Sequence, residues 1–246
     1  MGILGIDVGG SGIKGAVVDV ETGRMVTERY RLPTPEGAEP LAVAQAIAQI
    51  CTVFDYRGKI GVGFPAVVQR GIALTAANIS TKWINCDADA LITETTKCDT
   101  YVVNDADAAG VAEMAFGAGR DFHEGVVLLL TIGTGIGSAL FTNGVLVPNT
   151  ELGHMLVDGK DAERRASDAT RKRKELSWKD WAGRFNEVLV NIERFLYLDL
   201  IILGGGVSKD AAEFLPYLNT RTKVVPAQMQ NMAGIVGAAM FASNEA

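Results

Sequence analysis

The stretch that decides the fold is ILGIDVGGSGIKGAVVDV, at residues 3–20. An apolar strand at residues 3–8 ends in a glycine-rich turn, and residues 15–20 form a second apolar strand. Glycines lack a Cβ, so the backbone amides of such a turn can approach an anion. The Walker pattern is absent, and a strand follows where a dinucleotide fingerprint requires a helix. The stretch therefore predicts a different phosphate-binding hairpin, with a plain glycine hairpin as the alternative.

The same design recurs in the middle of the chain. Residues 126–131 read as an apolar strand, residues 133–137 as a glycine turn, and residues 138–142 as a second strand. A bridging polyphosphate needs amide donors on both sides of a cleft, so two such turns carry more weight than one. The repeat predicts an α/β fold of two similar halves, each presenting a glycine hairpin to one active-site cleft.

Other segments fill in the two halves. Strands are expected near residues 60–64, 101–104 and 200–203, and helices near residues 41–54, 106–116 and 230–242. Aromatic and aliphatic residues from Trp178 to Leu196 follow helical spacing, which predicts a long amphipathic helix with its aromatic face in the core. We expect a small α/β domain at residues 1–103 plus a C-terminal helix at about 230–246, and a large α/β domain at residues 104–229.

Composition limits the classes of partner. The chain has 246 residues, 48% hydrophobic residues and a net charge of −6, which favours a globular protein over one that binds nucleic acid. No apolar run is long enough to span a bilayer, and no signal-peptide pattern is present, so we expect a cytoplasmic protein without a membrane partner. Three scattered cysteines fit neither a disulfide framework nor a zinc cluster, and we expect them to be buried.

Asp105 is the candidate for proton transfer. It follows the apolar strand at residues 101–104 and begins an alanine-rich helix, at the strand end where open α/β sheets place ligands. A carboxylate there can accept a hydroxyl proton while the oxygen attacks phosphorus, or it can be a helix N-cap. Magnesium and turn amides would neutralise the phosphoryl charge, and Asp7 could hold the magnesium ion through water.

Two further segments offer polar groups. Glu151 and His154 flank a glycine and combine an acceptor with an imidazole, as sugar hydroxyls require, although a surface turn or a metal role for His154 is an alternative. The turn at residues 204–206 precedes a helix that we expect Ser208 to cap. Its amides suit an anion, or they serve a tight strand-to-helix connection.

Together these motifs resemble the ROK family of sugar kinases, along essentially the whole chain and in the same order. The resemblance implies a two-domain actin-like ATPase (ribonuclease H-like) fold with an active-site cleft between the domains, and it makes Asp105 the catalytic base. It implies glucose contacts from Asn78, Asn104, Asp105, Glu151, His154 and Glu163, and phosphate or nucleotide contacts from Asp7, Gly9, Gly10, Ser11, Gly12, Lys14, Thr131, Gly133, Thr134, Gly135, Gly204, Gly205 and Gly206.

One departure from the family pattern is informative. Most ROK proteins follow the Glu-x-Gly-His motif with a cysteine-rich zinc loop that ends in a sugar-contacting glutamate. Here the cysteines are gone, but residues 161–167, DAERRAS, keep the ending of that loop. The resemblance implies that Glu163 retains the sugar contact and that zinc is absent.

A basic stretch begins in this replaced loop. The chain resembles the zinc-free branch of the family, whose members phosphorylate glucose with inorganic polyphosphate and often with ATP. A cationic strip in a chain of net charge −6 favours a polyanion track, while a solvated helix face is the ordinary alternative. Lys14 and Lys82 would extend the track, whose members are Arg164, Arg165, Arg171, Lys172, Arg173 and Lys174.

The resemblance implies a magnesium-dependent glucokinase that makes glucose 6-phosphate, as a homodimer, from polyphosphate, ATP or both. An ATP-only glucokinase or a glucomannokinase is the alternative within the family. A non-catalytic sugar-sensing repressor is another class, but it would carry an N-terminal helix-turn-helix, for which we expect no room before Asp7. An actin-type ATPase scaffold would not need the set of Glu151, His154 and Glu163.

Overall fold

The computed structural model describes residues 2–76 and 78–245, which form two compact units. The first comprises Met1–Phe116 and Met232–Ala246, and the second comprises Gly117–Asn231. We predicted a boundary at residue 104, so the structure moves one whole helix, residues 105–116, into the first unit. The α/β class is as predicted, because each unit has its own mixed sheet covered by helices.

The first unit is built on a six-stranded sheet of order β3–β2–β1–β5–β9, in which β4 also pairs with β2. β1 and β2 form the antiparallel hairpin, while β1–β5 and β5–β9 are parallel. A small antiparallel sheet, β6–β7–β8, adjoins it. The strands are β1 (Gly2–Gly9), β2 (Gly12–Asp19), β3 (Arg24–Met25), β4 (Tyr30–Leu32), β5 (Ile60–Phe64), β6 (Val68–Gln69), β7 (Ile72–Ala73), β8 (Cys86–Asp87) and β9 (Thr100–Asn104), and the helices are α1 (Pro40–Val53), α2 (Ala88–Thr96), α3 (Asp105–Phe116) and, from the end of the chain, α8 (Ala233–Asn244).

The second unit repeats this plan. Its five-stranded sheet has the order β12–β11–β10–β15–β16, with β10–β11 antiparallel and β10–β15 parallel, and β13 pairs with β14 separately. The internal repeat predicted from the sequence is thereby confirmed. The strands are β10 (Val126–Ile132), β11 (Ile136–Thr142), β12 (Val145–Val147), β13 (Leu156–Val157), β14 (Lys160–Asp161), β15 (Leu200–Gly205) and β16 (Lys223–Pro226), and the helices are α4 (Ala162–Ala166), α5 (Asp168–Arg173), α6 (Trp178–Phe195) and α7 (Ala211–Phe214).

Close packing of α8 explains why α3 belongs to the first unit. A Cβ added at Gly237 in α8 would collide with the carbonyl of Ala108 in α3, and one added at Gly61 in β5 would collide with the carbonyl of Ala238. Helix α8 therefore touches both the sheet and α3 at positions that tolerate no side chain. A sequence pattern of apolar residues does not show this pairing, and our predicted boundary missed it.

The long amphipathic helix is confirmed as α6, which Ser177 caps by accepting a hydrogen bond from the Asp180 amide. Trp181 and Phe185 are fully buried, and their rings stack with centroids 5.0 Å apart. The indole of Trp181 donates to the Ala166 carbonyl at 2.8 Å, so its one polar group is satisfied inside the core. Among residues 2–76 and 78–245, no helix has the length and apolar character that crossing a membrane requires.

Two of the three cysteines are buried as predicted, and the third is half-buried. Cys51 and Cys98 are each about 1% exposed, while Cys86 retains partial solvent contact. Burial, with the neighbouring Cys98 adding to it, raises the pKa of Cys51 to about 12. The Cys51 thiol therefore behaves as a small apolar side chain at neutral pH.

Candidate functional site

The first glycine turn carries a charged pair. Asp7 and Lys14 lie opposite each other in the β1–β2 ladder, and the Lys14 ammonium is 3.0 Å from the Asp7 carboxylate. A Cβ added at Gly10 would meet nothing within 4 Å, so the tip of the turn is open. The turn thus offers a carboxylate, an ammonium and accessible backbone beside one another.

Two residues that the sequence did not single out hold this turn in place. The Arg31 guanidinium donates to the Ser11 carbonyl at 2.7 Å, and the Thr34 hydroxyl donates to the Gly9 carbonyl at 2.5 Å. Both side chains follow β2 in the chain. No local motif marks them, since their role comes from the pairing of β4 with β2.

The carboxyl ends of three parallel strands bring Asp7 and Asp105 to the same edge of the first sheet. Asp7 pairs with Gly63 in the β1–β5 ladder, and Phe64 pairs with Asn104 in the β5–β9 ladder. Asp105 is half-buried and begins α3. Its place at this edge is where open α/β sheets bind ligands.

Asn104 supplies the cap of α3. Its side-chain oxygen accepts from the amides of Ala106 and Asp107 at 2.9 and 3.1 Å, and its amide nitrogen donates to the Ala66 carbonyl at 3.1 Å. Asp105 also accepts from the Ala106 amide, at 2.8 Å. Capping by Asn104 means that helix initiation does not by itself require a carboxylate at position 105. Asn104 fixes the backbone that presents Asp105.

Asn78 lines a cavity of about 390 Å³ in the first unit. It is exposed, with a left-handed backbone (φ 60°) that asparagine tolerates better than most residues. The cavity also reaches Gly10 at the tip of the first turn, and Thr34, Glu36 and Ser80 give it a polar lining. A predicted sugar contact and a predicted phosphate contact therefore share one cavity, whose volume suits a small molecule.

The second glycine turn lies against a carboxylate. A Cβ added at Gly135 would come within 2.5 Å of Glu163 Oε2, whereas one added at Gly133 would meet nothing within 4 Å. Thr131 pairs with Gly137 in the hairpin, and the exposed Thr134 lies at its tip. The structure thus places a predicted sugar contact, Glu163, directly beside a predicted phosphate turn.

The third glycine turn adjoins the second through the β10–β15 ladder, in which Thr131 pairs with Gly204 and Ile132 with Gly205. Gly205 has φ +76°, and a Cβ there would collide with Ile132. The prediction that Ser208 caps the next helix is wrong. Residues 206–210 form a 3₁₀ helix, and the Ser208 hydroxyl donates to the Gly205 carbonyl at 2.9 Å. Helix α7 has only four residues and is too short to offer a helix N-terminus to a ligand. An anion bound here would therefore contact the backbone amides of the turn.

Glu151 and His154 lie together at a short 3₁₀ helix, residues 152–154. Their side chains approach to 3.8 Å, and burial raises the pKa of Glu151, with His154 opposing the rise and Glu163 adding to it. The Ser138 hydroxyl holds this segment by accepting from the Leu152 amide at 3.0 Å. The site therefore combines an imidazole with a carboxylate that takes up a proton more readily than an ordinary glutamate does.

The loop that lost its cysteines still offers a set of metal-binding atoms. His154, Asp161 and Glu163 each present one ligand atom, and these atoms lie within 4.8 Å of one another. His154 Nδ1 is 3.4 Å from Asp161 Oδ2. A set of one imidazole and two carboxylates can bind a divalent cation, but it is less selective for zinc than a set of cysteine thiolates. Sequence reasoning missed Asp161, because the β13–β14 hairpin rather than a local motif brings it to His154.

Most cations of the predicted polyphosphate track have acidic partners. Asp168 pairs with Arg171 at 2.9 Å and with Lys172 at 2.7 Å, and the Arg171 guanidinium lies 3.8 Å above the Trp178 ring. Arg165 pairs with Asp158 and Glu187, and Arg164 lies 4.0 Å from Asp161. Arg173 donates to the Thr170 hydroxyl, while Lys174 is exposed.

The two lysines that we expected to extend the track belong to the first unit. Lys14 pairs with Asp7, and Lys82 pairs with Glu39 at 2.7 Å. The first unit therefore groups Asp7, Lys14, Asn104 and Asp105 at one sheet edge, with Asn78 at a cavity beside Gly10. The second unit groups Glu151, His154 and Glu163 with the second and third glycine turns.

Comparison with known proteins agrees with this arrangement. The model of the ROK family matches residues 3–171. A polyphosphate glucokinase of Mycobacterium tuberculosis is 49% identical over 238 residues, covering 96% of this chain and 89% of that protein. The crystal structure of an inorganic polyphosphate/ATP-glucomannokinase from Arthrobacter sp. strain KM superposes with a TM-score of 0.94 at 44% identity, over 98% of each chain.

A more distant structure shows the fold alone. A ROK family glucokinase from Streptomyces griseus, in complex with glucose and AMPPNP, has a TM-score of 0.81 at 22% identity over 100% of each chain. The fold is thus the actin-like ATPase fold that the sequence predicted. With a family model covering more than half of the chain and relatives close to half identical, the chain belongs to the ROK family.

Proposed function

We propose that this protein is a glucokinase that transfers a phosphoryl group from inorganic polyphosphate, ATP or both to the 6-hydroxyl of glucose. The observation that carries the proposal is the contact of Glu163 with Gly135. A carboxylate suited to sugar hydroxyls lies against a turn suited to phosphate, as a sugar phosphotransferase requires. The 49% identity to a polyphosphate glucokinase supports the same reaction.

Asp105 acts as the general base in this reaction. As the glucose 6-oxygen bonds to phosphorus, the bond from phosphorus to the leaving phosphate oxygen breaks, and the hydroxyl proton passes to the Asp105 carboxylate. The Asn104 cap and its bond to the Ala66 carbonyl fix the backbone at this position. Asn104 is then a positioning residue as well as a glucose contact.

Amides of the glycine turns and the Lys14 ammonium bind the phosphate oxygens, where they stabilise the charge that shifts during transfer. Asp7 is the residue that would hold a magnesium ion through water, and that ion would supply further neutralisation. The Asp7 carboxylate is partly exposed at a strand end, and Lys14 contacts its Oδ2 oxygen. The residues of this phosphate set are Asp7, Gly9, Gly10, Ser11, Gly12, Lys14, Thr131, Gly133, Thr134, Gly135, Gly204, Gly205 and Gly206.

Glu151, His154 and Glu163 bind the hydroxyls of the sugar, together with Asn78. Carboxylates accept from hydroxyl groups, and the imidazole can either donate or accept. A glucomannokinase is the second candidate, and the observation that favours it is the TM-score of 0.94 with the Arthrobacter enzyme. An ATP-only glucokinase has no comparable support.

We also infer a cytoplasmic homodimer. Only the resemblance to the family supports the dimer. The inference of a cytoplasmic location rests on the sequence pattern. Light scattering of the purified protein measures the mass, and a monomer at working concentration would exclude the dimer.

The proposed function is tested by a coupled assay for glucose 6-phosphate with ATP and polyphosphate supplied separately, each with glucose and with mannose. We expect product from glucose with polyphosphate. Product with ATP but not with polyphosphate would support the ATP-only glucokinase, and no product with either donor would exclude a kinase of glucose or mannose. Omitting magnesium from the same assay tests the metal requirement.

A further inference from the structure

The cations near the end of α5 fall into two groups. Arg171 and Lys172 share Asp168 as a partner. Lys174 follows α5 directly and is exposed, and it lies near Lys160, Arg173 and Arg184. In residues 2–76 and 78–245, no carboxylate comes within ion-pair distance of these four side chains, which we name the Lys174 cluster.

Three elements bring the Lys174 cluster together. Lys160 lies in β14, Arg173 ends α5, and Arg184 lies in α6. The pKa of Lys174 is lowered, first by partial loss of hydration and then by the positive charges of Arg184, Lys160, Arg173 and Arg165, of which Arg165 has its own partners in Asp158 and Glu187. Like charges held close without a counter-charge raise the free energy of the folded protein, and a bound polyanion relieves that repulsion.

Helix α5 sets the distance between the Lys174 cluster and the second glycine turn. Its second residue, Ala169, donates its amide to the Gly133 carbonyl at 3.1 Å. The helix has six residues, which at 1.5 Å per residue spans about 9 Å. A donor whose reacting phosphate is at the turn therefore needs several further phosphate units to reach Lys174. The uncharged adenosine of ATP brings no negative charge to this place.

We propose that the Lys174 cluster binds the distal part of a long phosphate chain, and that these residues, rather than Arg171 and Lys172, determine the preference for chain length. This inference rests on the proposed function, because it assigns a second contact to the same donor. It also divides the predicted track: Arg171 and Lys172 share the single carboxylate of Asp168, which offsets half of their combined charge, so they contribute less binding free energy to a polyanion than two unpaired cations would.

The test compares a double variant, Lys174→Ala/Arg184→Ala, with a matched control, Arg194→Ala/Lys223→Ala. Both remove one lysine and one arginine from the second unit, and Arg194 and Lys223 are exposed. We expect the ratio of KM for long-chain polyphosphate to KM for tripolyphosphate to rise about tenfold in the double variant, since two charge contacts are lost. In the control this ratio should stay at the wild-type value.

The salt dependence gives a second readout. By analogy with single-stranded nucleic acid, we take each phosphate contact to contribute a slope of roughly −0.7 to the logarithm of affinity against the logarithm of salt concentration. The double variant should therefore show a slope shallower by roughly 1.4 for long-chain polyphosphate. An equal increase in KM for both donors, or the same change in the control, would overturn the proposal. Lys174→Ala alone serves if Arg184→Ala impairs folding, as thermal melting would show.

Direct binding separates this proposal from the proposed function. Fluorescently labelled long-chain polyphosphate is titrated into Asp105→Asn protein with and without the cluster substitutions. Weaker binding in the cluster variant supports the site even if no glucose 6-phosphate forms. Equal binding in both proteins excludes the site even if the enzyme is an active polyphosphate glucokinase.

Discussion

The two glycine hairpins share a backbone plan but differ in where their charges come from. In the first, β1–β2, Asp7 and Lys14 belong to the hairpin itself and pair across it. In the second, β10–β11, residues 126–142 contain no charged side chain, and the carboxylate beside the turn is Glu163, which comes from α4. A repeated backbone motif therefore predicts where a phosphate is held, while the chemistry around it depends on packing from elsewhere in the chain.

The sharpest test of this contrast removes the carboxylate that the first unit presents. We expect Asp105→Asn to lower kcat by roughly 10²- to 10⁴-fold, the usual contribution of a general base. Asparagine has the same shape and can still accept from the Ala106 amide, so the melting temperature should change little. Steady-state kinetics with saturating glucose measures the effect. A rate within threefold of wild type would remove Asp105 from the role of base.

The second hairpin is tested by a pair of glycine substitutions. Gly135→Ala places a methyl group within 2.5 Å of the Glu163 carboxylate and should displace it, whereas Gly133→Ala meets no atom within 4 Å. Loss of a hydrogen bond to a charged group is worth about 1.5–3 kcal/mol. We therefore expect KM for glucose to rise roughly ten- to hundredfold in Gly135→Ala and to change little in Gly133→Ala.

Equal behaviour of the two glycine variants would contradict the contact that carries the proposed function. A rise in KM for the phosphate donor alone would assign Glu163 to donor binding instead of sugar binding. Gly10→Ala gives the corresponding variant in the first hairpin, where the added methyl group also meets no atom within 4 Å.

A smaller effect is expected at the edge of the first sheet, where Asp89 accepts from the Val102 amide of β9 at 2.8 Å. Burial raises the pKa of Asp89 from 3.8 to about 6. The folded protein then binds a proton that the unfolded chain has already released, so the free energy of unfolding falls as pH rises from about 4 to about 6 and is level above that. Partial exposure limits the fall to about 1 kcal/mol.

Asp89→Asn should remove this slope, since its side-chain oxygen still accepts from Val102 but does not titrate. Urea unfolding at several pH values between 4 and 8 measures it. Asp180→Asn is not a clean control because Asp180 bonds to the Ser177 cap, whereas exposed Asp121→Asn leaves the core untouched. A slope that persists in Asp89→Asn would assign the pH dependence to another group.

The smallest effect is expected from metal removal. Backbone hydrogen bonds already join the ends of the β13–β14 hairpin, where the Ala162 amide donates to the Met155 carbonyl at 2.9 Å. We therefore expect purified protein to contain no stoichiometric zinc and a chelator to leave the melting temperature unchanged. Elemental analysis giving one zinc per chain would mean that His154, Asp161 and Glu163 form a metal site despite the missing cysteines.

Local patterns predicted most of the elements and several of the site residues. Strand–turn–strand alternation revealed both hairpins, and helical spacing revealed α6. Residues whose role comes from distant packing were not found: Arg31 and Thr34 at the first turn, and Asp161 beside His154. Ser208 has the chemistry of a cap, but the positive-φ turn at Gly205 leads into a 3₁₀ helix instead.

Charge runs show the same limit. Composition alone treats Arg171, Lys172, Arg173 and Lys174 as equivalent cations. The fold gives the first two a shared partner in Asp168 and leaves Lys174 beside Arg184, a residue ten positions further along the chain. Sequence reasoning locates a basic segment, but the partners that neutralise part of it are set by the tertiary structure.

The return of α8 to the first sheet has a consequence for synthesis on the ribosome. The first unit needs residues that emerge only after the whole second unit, since Gly237 and Gly61 seat α8 against α3 and β5. The second unit is continuous in sequence and can complete its core as it leaves the exit tunnel. During translation the half that begins the chain is therefore finished last, and until then β1 and β5 lack the helix that covers their apolar side chains.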